Sequence, residues 1–131
     1  MTPHYGPSNP TSDEQAASGV QRYLRLIELK PEKEEIYRQM HANVWPEVVA
    51  ALQRARIHNY SIYIAELSGK KYLIAYFEYT GDDPTRDFSI VAEDPTTRDK
   101  WWPITDDCQI RIPGTPAGAQ WLPAEMVMYL P

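Results

Sequence analysis

Residues 59–80 read NYSIYIAELSGKKYLIAYFEYT. Two runs rich in Tyr and Ile, Asn59–Glu66 and Lys71–Thr80, flank Leu67-Ser68-Gly69-Lys70, a link short enough for a hairpin. Working outward, Gln21–Leu29 (QRYLRLIEL) partly alternates polar and apolar residues and predicts another strand. Between the two lies a helical stretch. Pro31 suits a first helical turn, since its φ is fixed and it has no N–H to satisfy, and Glu32, Glu34 and Glu35 favour the positive end of the helix dipole. Ile36, Met40, Val44 and Val48 recur every four residues and predict the core stripe of this helix. Pro46 falls inside the pattern and predicts a break near Val44–Trp45, with helix resuming over Glu47–Arg56.

Downstream of the hairpin, Thr85–Val91 and Thr96–Trp101 read as helical, interrupted by Asp94-Pro95. The stretch Pro103–Pro123 is punctuated by Pro and Gly and reads as irregular, and Glu125–Leu130 reads as a short closing strand. Residues Met1 to about Val20 are rich in Pro, Ser, Gly and acids and read as a mobile tail, leaving 21–131 as one domain. The order β-α-β-β-α-β defines an α+β, ferredoxin-like protomer. One helix layer covers one face of such a sheet. The other face, carrying aromatic and aliphatic side chains, is expected to pair with a second copy as a homodimer.

Composition excludes several functions. The net charge of −5 is spread along the chain without a Lys/Arg run, which argues against a nucleic-acid partner. The longest apolar runs, Ile62–Ala65 and Leu73–Phe77, are far too short to span a membrane. One cysteine, Cys108, allows no internal disulfide and suits a reducing compartment. The first residues lack a basic stretch followed by an apolar one, so no secretory signal is expected and the cytoplasm is the expected location. Nothing resembles a phosphate loop, a Ser or Cys nucleophile motif or a metal-ligand spacing.

Three clusters could carry chemistry. Tyr37 and His41 stand four apart on one helix face, at the margin of the expected core stripe, where a helix can line a cavity over a sheet. A histidine there titrates near neutrality and can both give and take a proton, although a core hydrogen bond would equally account for it. In His58-Asn59-Tyr60-Ser61-Ile62-Tyr63, strand alternation places Tyr60 and Ile62 on one face and Ser61 and Tyr63 on the other. A tyrosine facing the helix could bond a hydroxyl, whereas Tyr63, Tyr72 and Tyr76 read as ordinary strand residues. Trp101 and Trp102 are adjacent at a helix end. Indole faces stack on the C–H-rich faces of sugar rings, though core or interface packing would also use them.

Taken in order, Tyr37-x-x-x-His41, Val44-Trp45-Pro46-Glu47, His58–Tyr63, Lys100-Trp101-Trp102 and the closing Met128-Tyr129-Leu130-Pro131 resemble the L-rhamnose mutarotase family, from about Tyr23 to the C-terminus. The resemblance implies a dimeric α+β barrel of ferredoxin-like protomers that exchanges the α and β anomers of a 6-deoxy-hexose without a cofactor. The implied sugar is L-rhamnose, with L-fucose the alternative. It also implies that His41 transfers the proton, that Tyr37 and Tyr60 bind the sugar, and that Trp101 and Trp102 are the family's paired tryptophans. A barrel of this kind could instead only bind a small ligand, or act as an oxygenase, because one fold hosts many functions.

Overall fold

The computed structural model describes residues 2–131. A short helix α1 (Ser12–Ala17) precedes strand β1 (Gln21–Leu29), and a 3₁₀ turn at Pro31–Lys33 leads into α2 (Glu34–Ala42) and α3 (Pro46–Arg54). The hairpin β2 (Ile57–Leu67) and β3 (Lys70–Tyr79) follows, then α4 (Pro84–Glu93), a π-helical turn at Thr97–Trp101 and α5 (Trp102–Asp107). Two short strands, β4 (Gln109–Ile110) and β5 (Leu122–Ala124), complete the chain's regular structure. The sheet order is β2-β3-β1-β4, with β5 also paired to β1, and every pairing is antiparallel. This is the ferredoxin-like strand order, its fourth position shared by two short pieces.

The hairpin turns on Ser68 and Gly69, both at positive φ (52° and 78°), as a two-residue turn matching the twist of its strands requires. Its register sets the two faces of the sheet. Ile27 pairs with Leu73 and Tyr23 with Phe77, and all four point towards the helices with Leu29, Ala75 and Tyr79. An irregularity between His58 and Ser61, where Asn59 takes a φ of 49°, shifts the register of β2, and Tyr60 emerges on the helix side against Phe77.

Four expectations differ from the structure. The inward stripe of α2 is turned round the helix from the expected one: Tyr37 is 3% exposed and Ile36 42%. Ring size explains this, because the long Tyr37 side chain reaches across to Ile27, Leu29 and Leu73, a gap that Ile36 could not fill. Within the stretch read as a tail, Ser12–Ala17 is helical, because the Thr11 hydroxyl accepts from the Glu14 backbone N–H and caps the helix, and the Gln15 side chain then accepts from the N–H of Arg22. Helix α5 extends into the stretch expected to be irregular, since Pro103 sits in its first turn where no N–H is needed. Finally, Glu125–Leu130 forms no strand. With Ala124 opposite Leu24, little of β1 remains to pair with, and the chain instead bonds the Tyr129 N–H to the Ser8 carbonyl at 2.7 Å.

Candidate active site

The break between α2 and α3 begins the site. Trp45 is extended (φ −59°, ψ 139°), as a residue before proline prefers, and Pro46 starts α3 in the first turn it favours. This kink leaves His41 and Trp45 both in contact with Trp101. Across from them, Asp94 accepts from the N–H and hydroxyl of Thr97, both at 2.9 Å, and the chain passes through the π turn that delivers Trp101. Neighbouring residues on such a turn point in different directions. Trp101 is 5% exposed and faces inward, whereas Trp102 is 36% exposed and faces away.

Three aromatic contacts join these elements. The Tyr37 and His41 rings stack with centroids 4.0 Å apart and 19° between planes. Trp101 meets His41 edge-on at 5.2 Å and Trp45 at 4.9 Å. His41 Nδ1 lies 2.8 Å from the carbonyl of Tyr37. A carbonyl can only accept, so Nδ1 carries the proton, and in the neutral ring Nε2 holds a free lone pair. Burial lowers the pKa of His41, an effect partly offset by the bond to the Tyr37 carbonyl, and so favours the neutral form. A neutral histidine with its distal nitrogen unprotonated is a base at neutral pH.

The hydroxyl end of Tyr37 reaches the sheet. Burial raises its pKa above the usual tyrosine value, the neighbouring Tyr60 adds to the rise, and the side chain of Gln109 opposes it. Tyr37 thus stays a neutral hydroxyl. Gln109 is held in turn by Gln120, whose amide donates to its carbonyl at 3.3 Å. Tyr60 accepts a hydrogen bond from Arg25 Nη2 at 2.9 Å, leaving its own proton free to donate. The Arg25 guanidinium carbon lies 5.2 Å from the ring centres of both Phe77 and Trp121.

The structure therefore brings together His41, Tyr37, Tyr60 and Trp101 and leaves Trp102 outside their contacts. It adds Trp45, Gln109, Trp121 and above all Arg25, which sequence reasoning missed. The signal for Arg25 was present: it sits in phase with Tyr23, Ile27 and Leu29, a charge on the buried face of an alternating strand. Cys108 is buried and bonds the Ile104 carbonyl, and burial pushes its thiol pKa up, which makes it a poor nucleophile. Among the described residues no three His, Cys, Asp or Glu side chains converge to hold a metal ion. Nor is any described helix long and apolar enough to cross a membrane.

Similarity to known proteins coincides with this architecture. The family profile of L-rhamnose mutarotase matches residues 22–130, which takes in every side chain of the cluster. The chain belongs to the L-rhamnose mutarotase family. Among its relatives, the L-rhamnose mutarotase of Bacillus subtilis is 30% identical over 83 residues, 63% of this chain and 74% of that protein. The one from Lactiplantibacillus plantarum is 32% identical over 98 residues, 72% and 88% of the two chains. In fold, the family is represented by the crystal structure of an L-rhamnose mutarotase from Formosa agariphila. It superposes with a TM-score of 0.62 at 23% identity, covering 85% of this chain and 99% of that one.

Proposed function

We propose that the chain interconverts the α and β anomers of L-rhamnose through acid–base ring opening at the His41 cluster. Family membership supports the reaction. The observation that carries the site is the fixed tautomer of His41, whose Nε2 is free to accept a proton while its ring is held between Tyr37 and Trp101.

Anomer exchange requires the anomeric hydroxyl to lose a proton as the ring oxygen gains one. The ring opens to the aldehyde, the C1–C2 bond rotates and closure gives either anomer. His41 Nε2 takes the hydroxyl proton. A neutral tyrosine hydroxyl with its proton free, that of Tyr37 or Tyr60, donates towards the ring oxygen or a neighbouring hydroxyl, and the roles reverse on closure. The reaction already proceeds in water, so a positioned pair adding about 10²–10⁴-fold each is sufficient. Trp101 walls the site beside the His41 ring.

The dimer belongs to the same proposal. On the sheet face away from the helices, Leu24 and Tyr63 are 38% and 59% exposed, and they share that face with Leu26, Tyr72 and Ile74. A second copy laid on this face would bury them. Anomer exchange measured side by side on L-rhamnose and L-fucose tests the substrate, with faster exchange on L-rhamnose expected. Equal or faster exchange on L-fucose would reassign the sugar, and acceleration of neither would leave only a ligand-binding barrel.

A further inference from the structure

Arg25 is the one charge built into the cluster. Position 25 lies mid-strand on β1, opposite Ala75 on one side and Pro123 on the other, on the face that packs against the helices. A guanidinium has five N–H donors. One of them bonds Tyr60. Nε is shielded from solvent and has no partner. Among the described residues no carboxylate forms an ion pair with Arg25, whereas every other arginine apart from Arg22, Arg56 and Arg111 does. Arg22 and Arg111 have hydrogen-bond partners of their own, Tyr129 for the first and the carbonyls of Thr115, Pro116 and Ala119 for the second.

The faces of Phe77 and Trp121 offset part of the cost of placing this cation under the helices, but they carry no counter-charge. A partly buried positive charge without a counter-charge is unfavourable until an anion arrives. A planar fork with open donors matches a carboxylate, which it can hold through two parallel bonds. Tyr60 holds one edge of the fork, and Trp121, over which the guanidinium lies, packs on the core cluster that contains Tyr37.

We propose that Arg25 is a substrate-binding residue that sets specificity, and that it admits to the anomer-exchange site a hexuronate, a sugar bearing a carboxylate, alongside the 6-deoxy-hexose. The proposal rests on the mutarotase reading of the His41 cluster. No new bond chemistry is involved: the carboxylate on C5 is held, not transformed, while ring opening breaks the bond between C1 and the ring oxygen. A neutral 6-deoxy-hexose uses the same fork through hydroxyl oxygens, with weaker bonds.

L-Mannuronate differs from L-rhamnose only in carrying a carboxylate where the latter carries a methyl group, so the two isolate the contribution of the charge. Exchange between their anomers is measured by NMR for the wild type and for Arg25→Gln, each above the protein-free rate. Arg25→Gln keeps a donor for Tyr60 and removes the charge. The wild type is expected to accelerate both sugars. The variant is expected to raise KM for L-mannuronate at least about tenfold more than for L-rhamnose, the effect of one charge-assisted hydrogen bond. Its residual exchange on L-rhamnose reports that the site is folded. If the wild type accelerates L-rhamnose but not L-mannuronate, or the variant loses equally on both, Arg25 does not select a carboxylate and the mutarotase reading stands. If the wild type accelerates neither sugar, the mutarotase reading itself falls and takes this inference with it.

Discussion

At the scale of single residues, the proposed chemistry rests on the proton held by His41 Nδ1 and on the burial of its ring. Burial lowers the pKa, so the ring stays neutral to a lower pH than a free imidazole, whose value is about 6.5. A base is active when unprotonated. Exchange should therefore hold steady from neutrality downward and fall only as pH drops through the lowered value. A rate already falling above about pH 7 would contradict the assignment. Stability follows with the same sign: the folded pKa lies below the unfolded one, so the contribution present above about 6.5 is lost as pH falls through the folded value. Tyr37→Phe removes a hydroxyl but keeps the ring stacked on His41 and packed on Ile27 and Leu73. We expect exchange to fall by about 10²-fold or more with the melting temperature little changed. A variant that unfolds instead would assign the hydroxyl to the core.

At the scale of elements, strand β1 and the hairpin were legible because alternation and the Ser-Gly turn are local signals that the packing obeys. Helix α2 was legible as a helix but not in its facing. Apolar spacing selects Ile36, whereas polar side chains, the buried Tyr37 and the half-buried His41, take the inward face. The same rule hid Arg25, which alternation assigns to the core face and charge assigns to the surface. The edge strand was illegible for another reason: β4 and β5 are two and three residues long, and their pairing with β1 is set by distant parts of the chain. The join between β3 and α4 carries its own buried polar cluster. Tyr79, with its pKa pushed up to about 12 chiefly by burial, donates to Asp87 at 2.5 Å and accepts from the Asp83 N–H at 2.9 Å. Tyr79→Phe leaves that N–H without its acceptor and should cost about 1–3 kcal/mol in chemical denaturation. Gly81→Ala should also destabilise, since a methyl group there would overlap the Tyr79 hydroxyl and the Asp87 carboxylate. Stability unchanged in both variants would show that the join does not depend on this cluster.

At the scale of the whole molecule, the helices cover one face of the sheet and the His41 cluster lies between them and the strands. The opposite face, where Leu24 and Tyr63 are exposed, is proposed to take a second copy of the chain. Light scattering should give the wild type twice the 15.1 kDa chain mass. Ile74→Asp, which puts a charge at the middle of that face between Leu26 and Tyr63, should return a single chain. A wild type that is monomeric at micromolar concentration would remove the dimer. The central claim is that His41 moves the proton that opens the sugar ring, and saturation transfer between the two anomeric protons of L-rhamnose measures this step directly. Wild type should transfer saturation well above the protein-free rate and His41→Ala, folded by circular dichroism, should fall back towards that rate; equal transfer by both proteins would contradict the claim.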